Sequence, residues 1–200
     1  SNIKAIPPAH YIKWNIKTTD FRGVNYWDID KNFKKDPGEK EALEKFRSLF
    51  FTSVKRRLRS DVLVGTSLSG GLDSSSIVAV INNIITSEDY KSYSAVFPGY
   101  EKDEAAYIDE VAAAFGLDDY KIAPTAEDFI NDFDALCYHH EQPFGSASVY
   151  TQYAVCRLAK QHQTKVLLDG QGADEILGGY SKYLHWYLQE LISTGKFAAF

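Results

Sequence analysis

The stretch "DVLVGTSLSGGLDSSSIVAVINNII", Asp61 to Ile85, decides the fold. Its first eight residues, Asp61 to Leu68, are short, β-branched and apolar, which predicts a buried strand. Gly70 and Gly71 break that run, and "SSIVAVINNII" resumes it as a helix. A strand, a glycine loop and a helix together present backbone N–H groups and the positive end of a helix dipole to an anion. Ser69, Ser74 and Ser75 add hydroxyl donors to that cradle. The lysine of the common phosphate loop is missing, and Asp73 stands inside the cradle instead. A carboxylate beside phosphates is repulsive unless a cation lies between them, so Asp73 reads as a Mg²⁺ ligand.

The same alternation continues on either side. Upstream, Leu43, Phe46, Phe50, Val54 and Leu58 recur at three- and four-residue spacing, a helix from Glu39 whose last turn carries the basic run "KRRLR". Downstream, Ser92 to Phe97 reads as a second strand and Asp103 to Gly116 as an acid-started helix with a glycine stop. "DYKIA" is a third strand, and "TAEDFINDFDALCYHH" opens on a Thr-x-x-Asp capping pattern and forms a helix. "SASVYTQYAVCRLAKQH" is a further helix, and Lys165 to Asp169 a last strand. Strands alternating with helices predict parallel pairing and a sheet covered on both faces, a Rossmann-like three-layer α/β fold. Residues 1–36 read as an arm, with the β-favouring runs "HYIKWNI" and "VNYWDI" separated by the turn-rich "KTTDFRG".

Ligands of such sheets sit beyond the carboxyl ends of the strands. The last strand ends there in "LDGQGADEILGGY", where Gly172 and Ala173 present a second acid, Asp174. Either loop alone reads equally well as a tight turn with an aspartate N-cap; the two in one α/β chain point to a nucleotide site. Composition narrows the partners. A net charge of −5 and a pI near 5.5 argue against nucleic acid and anionic membranes, and no apolar run reaches spanning length. Two cysteines make a disulfide framework unlikely to be the design and place the chain in a reducing cytoplasm. The sequence starts Ser1-Asn2 and contains no methionine, so a vector scar on a piece of a longer product is expected.

"SGGLDSS" resembles the signature of the ATP-pyrophosphatase superfamily. Its pairing with "DGQGADEILGGY", and with "EQPFGSASVYTQYAVCRLAK" between them, resembles the synthetase domain of the glutamine-dependent asparagine synthetase family. The resemblance implies the ATP-pyrophosphatase (PP-loop) fold over 37–200, incomplete at its carboxyl end, with 1–36 as the arm leaving an amino-terminal glutaminase domain. It implies that a substrate carboxylate attacks the α-phosphorus of ATP, that pyrophosphate departs, and that ammonia derived from glutamine converts the acyl-adenylate to an amide. Aspartate is the first acceptor expected. By resemblance, Leu68, Ser69, Gly70, Gly71, Leu72, Asp73, Ser74 and Ser75 bind ATP and pyrophosphate, and Asp73 and Asp174 hold Mg²⁺ as catalytic carboxylates. Backbone at Leu68 and Ala95-Val96 matches the family's adenine contacts, and Gly170, Gln171 and Gly172 line the acceptor side. A homodimer is the assembly expected.

One departure bears on the acceptor. Where well-known asparagine synthetases read Gly-Glu-Gly or Gly-Asp-Gly, this chain reads Gly170-Gln171-Gly172, and a neutral amide neither acts as a base nor attracts ammonium as a carboxylate does. Adenylation is unaffected, and a carboxylate on a sugar, peptide or natural-product precursor becomes an alternative acceptor. The family's catalytic lysine falls beyond Phe200, so these 200 residues are expected to bind nucleotide without completing the reaction. A tRNA-modifying pyrophosphatase and an inactive nucleotide-binding module are the competing readings. His139, His140 and Glu141 read as structural, Ser146 and Ser148 as helix caps, Cys137 and Cys156 as buried thiols, and Asp118-Asp119 as solvated charges.

Overall fold

The computed structural model describes residues 3–30, 37–85 and 90–195, so the expected vector residues and the charged run at 31–36 lie outside the described residues. The chain divides into two units, residues 1–45 and 46–200. In the first, β1 (His10–Trp14) and β2 (Phe21–Asn25) pair antiparallel, with Trp14 opposite Phe21 and His10 opposite Asn25. The second strand thus starts three residues before the expected Val24. The turn closes within 15–20, where the Asn15 N–H donates to the Asp20 carbonyl at 2.9 Å, and this releases Phe21 to Gly23 to pair.

Helix α1 (Glu39–Arg57) carries Glu39 and Glu41 in its first turn and Lys55, Arg56 and Arg57 in its last, complementing its dipole at both ends. The elements that follow are β3 (Val64–Ser67), α2 (Leu72–Ile84), β4 (Lys91–Ala95), α3 (Ala105–Phe115) and β5 (Asp118–Ile122). After them come α4 (Ala126–His140), α5 (Ser148–Gln161), β6 (Val166–Leu168), α6 (Ala173–Leu177) and α7 (Ser181–Ser193). Their order matches the sequence pattern. Gly116 stops α3 with φ +63°, and Thr125 and Asp128 close the expected capping box at the start of α4.

The four strands β3 to β6 pair in parallel in the order β5-β4-β3-β6. On one face Leu168 packs with Val80 and Ile81 of α2 and with Val54 of α1, and Leu68 packs with Val78 and Ile108. On the other, Tyr93 packs against Val155 and Ala159 of α5. Two faces covered by helices make the three layers. Each fully buried side chain of this kind contributes about 1.5–3 kcal/mol, enough to fix where the strand ends lie.

Two expectations fail here. Asp119 is not a solvated charge: its side chain is 3% exposed, and its carboxylate accepts from Ser92 Oγ at 2.7 Å and Ser94 Oγ at 2.8 Å. Alternation puts those serines on the sheet face opposite Tyr93, so pairing with β4 buries the acid. Lys121 of the same strand lies 3.6 Å from it and also pairs with Asp109 of α3. Cys137 and Cys156 are exposed rather than buried, because each falls off the apolar stripe of its helix that holds Leu136, Val155 and Ala159.

Candidate functional site

Strands β3 and β6 are neighbours with Thr66 opposite Leu168, so the loops that follow them leave the same end of the sheet side by side. In the first loop Gly70 has φ +77°, and a Cβ there would lie 2.7 Å from Tyr107 Cβ and 2.9 Å from Ile108 N. Only glycine permits both the turn and the approach of α3. The loop then braces itself. Ser74 Oγ accepts from the Ser69 N–H at 3.2 Å and donates to the Gly71 carbonyl at 3.2 Å, while Ser69 Oγ accepts from the Gly71 N–H at 3.3 Å. Gly71 is the N-cap residue of α2, and no side chain caps that helix. A helix start of this kind attracts an anion.

The second loop rests on the first. A Cβ on Gly170 would lie 3.0 Å from Asp73 Cβ and 3.2 Å from Ser74 N. Asp169, at the end of β6, accepts from the Gln171 N–H at 3.2 Å through Oδ1 and from Gln152 Nε2 at 3.0 Å through Oδ2. A Cβ on Gly179 would overlap the Asp174 carboxylate, so that glycine makes room for the acid. Tyr180 O–H donates to Glu175 Oε1 at 3.0 Å, and this hydrogen bond holds the phenol above its ordinary pKa.

Between the loops lies a cleft of about 210 Å³. Of the residues expected at the site, Ser69, Asp73, Ser74, Gly170, Gln171, Gly172 and Asp174 line it. Leu68 is buried beneath it at 1% exposure, Leu72 faces away at 81%, and Gly70 and Gly71 shape the turn without lining the cleft. Ala95 and Val96 lie outside it, and the Val96 N–H already donates to the Ile122 carbonyl at 2.9 Å. Ser75 also lies outside; its Oγ is buried with no hydrogen-bond partner among the described residues. Ser67, Gln152, Asp169, Glu175 and Tyr180 join the lining without having been assigned a role from sequence. Asp169 carried a usable signal, an acid abutting the glycine triplet. Gln152 carried none, since it arrives from α5.

Four carboxylates, Asp73, Asp169, Asp174 and Glu175, line this cleft, and no Lys, Arg or His does. Hard carboxylate oxygens of this kind suit Mg²⁺, which is held by one or two acids together with substrate phosphates. Among the described residues no group of three or more His, Cys, Asp or Glu is arranged to hold a metal, so His139 and His140 form no centre with Glu141. Ser146 Oγ accepts from the Ser148 N–H at 3.2 Å at the start of α5, the capping role expected of it.

The asparagine synthase family profile matches residues 45–195. The chain belongs to the asparagine synthase family. It is 37% identical over 153 residues to asparagine synthetase (glutamine-hydrolyzing) 1 of Bacillus subtilis, covering 76% of this chain and 24% of that protein. It is 32% identical over 195 residues to asparagine synthetase (glutamine-hydrolyzing) 3 of the same organism, covering 89% of this chain and 30% of that one. A solved structure, glutamine-dependent NAD⁺ synthetase from Acinetobacter baumannii in complex with adenosine diphosphate, shares 18% identity and a TM-score of 0.47 over 84% of this chain and 31% of that chain. This member of the asparagine synthase family thus spans about a third or less of the length of these synthetases.

Proposed function

We propose that this chain is the nucleotide-binding part of an ATP-dependent amide-forming ligase, and that residues 37–200 are its synthetase domain. The observation that carries the reading is the contact of Gly170 with Asp73 and Ser74, which makes one cleft of two acid-bearing glycine loops. In this reading the backbone and hydroxyls of Ser69 to Ser75 bind the departing pyrophosphate. Asp73 and Asp174 would hold Mg²⁺, which supplies neutralisation of the phosphate charge. An acceptor carboxylate oxygen attacks the α-phosphorus of ATP, and the bond from that phosphorus to the pyrophosphate oxygen breaks. Nitrogen of ammonia then attacks the acyl carbon, AMP leaves, and one proton is released with the amide. Ammonia comes from a glutaminase domain of the parent protein, residues 1–36 link the two, and the cytoplasm is the setting.

Aspartate is the first acceptor proposed, on the family's name. A second reading, an amide ligase for another carboxylate, is favoured by Gln171, a neutral and exposed residue on the lining. Pyrophosphate release from MgATP, measured with ammonium and with or without aspartate on the full-length protein, separates the two. Release that requires aspartate and yields asparagine supports the first. MgATP binding with no response to aspartate supports the second. Asp73→Ala is expected to abolish release in either case, and failure of the wild type to bind MgATP overturns both.

A further inference from the structure

The cleft is more acidic than a phosphate site needs. Asp73 and Asp174 are accounted for by the proposed Mg²⁺, and Glu175 receives the Tyr180 hydroxyl. That leaves Asp169. It stands two residues before Gln171 on the same lining, and the two donors that reach it, the Gln171 N–H and the Gln152 amide, are both neutral. Its charge is therefore hydrogen-bonded but not balanced. The same two bonds orient it: one closes a turn across Gly170, which cannot retreat because Asp73 and Ser74 stand behind it, and the other ties the carboxylate to α5.

We infer that Asp169 supplies the negative charge on the acceptor side that Gln171 lacks, and pairs with an ammonium group of the acceptor, which makes the acceptor class a carboxylic acid that bears an amine. This rests on the proposed function. A half-buried carboxylate fixed by two neutral donors keeps its charge available, and a charge-assisted hydrogen bond to a ligand ammonium is about twice as strong as a neutral one. Gln171 then acts as a neighbouring neutral hydrogen-bonding group.

The variant Asp169→Asn removes the charge and retains both contacts, because Asn Oδ1 still accepts from Gln171 and the Gln152 amide turns to accept from Asn Nδ2. Asp169→Asn/Gln171→Glu returns the charge to the next side chain on the lining. Pyrophosphate release by the full-length protein is measured with L-aspartate and with succinate, which has the same two carboxylates and no amine, and MgATP affinity is titrated in parallel. The expected wild type prefers aspartate by about tenfold or more in kcat/KM, the size of one charge-assisted bond. Asp169→Asn is expected to lose that preference through the aspartate KM, the double variant to regain it, and MgATP affinity to stay within about twofold throughout. A preference that survives Asp169→Asn overturns the inference, as does release with neither acid from a protein that binds MgATP. Loss of MgATP binding in the wild type overturns the underlying reading instead.

Discussion

Gly170→Ala is the sharpest test of how the two loops are joined. The added methyl would sit 3.0 Å from Asp73 Cβ and 3.2 Å from Ser74 N, where carbon contacts settle at about 3.5–4.0 Å. The second loop must therefore withdraw by about 0.5–1 Å, since Asp73 and Ser74 are fixed in the first turn of α2. Overpacking of that kind costs about 1–3 kcal/mol. At about 2–4 °C per kcal/mol for a chain of this size, melting falls by about 2–12 °C. Withdrawal also breaks the Gln171–Asp169 hydrogen bond, already at 3.2 Å, and pulls Asp174 from Asp73. MgATP affinity is expected to drop by about tenfold or more, the scale on which misplacements of this size act. Thermal unfolding and calorimetric titration of MgATP read the two effects. Gly145→Ala is the control, because a Cβ there meets nothing within 4 Å, and it is expected to leave both unchanged. A Gly170→Ala protein that melts with the wild type and binds MgATP equally would refute the claim that the loops share one site.

Two further predictions concern the frame around the cleft. Asp119→Ala leaves Ser92 and Ser94, both buried, without their acceptor and is expected to cost about 3 kcal/mol in urea unfolding; a loss near zero would show the buried acid to be dispensable. Tyr150, 5% exposed, donates to Asp132 at 2.9 Å, and burial followed by that carboxylate pushes its phenol up to about 12. A folded value above the ordinary one near 10 means that the protonated phenol is favoured by folding, so its contribution is whole below pH 10 and is lost as pH rises through 12. The stability advantage of the wild type over Tyr150→Phe, measured by urea unfolding from pH 8 to 12, is expected to shrink across that window; curves that stay parallel would remove Tyr150 as the cause.

What the sequence disclosed follows from how local each signal is. The strand at Val64–Ser67, the glycine turn and α2 are each set by residues within a few positions of one another, and all three appear as read. The same holds for the capping box of α4 and the stop at Gly116. Pairing is what local signals miss. β2 starts early because Trp14 needs Phe21 opposite it, and Asp119 is buried because two serines about 25 residues earlier turn toward it. Gln152 reaches Asp169 only because α5 lies over the sheet beside β6.

The electrostatics of the cleft is likewise a product of the topology rather than of any one motif. Asp73 comes from the helix after β3, and Asp169, Asp174 and Glu175 come from the end of β6 and the loop and helix behind it. Parallel pairing of β3 with β6 gathers all four at one end of the sheet. No basic side chain is gathered with them. Backbone N–H groups and serine hydroxyls can hold phosphate oxygens, but they carry no net charge to offset four acids. The balancing positive charge must then arrive with the ligands, as a divalent ion on the phosphates and an ammonium on the acceptor. A protein built this way binds its anionic nucleotide weakly without the metal, and the dependence of ATP affinity on Mg²⁺ is the property that its arrangement of acids makes steepest.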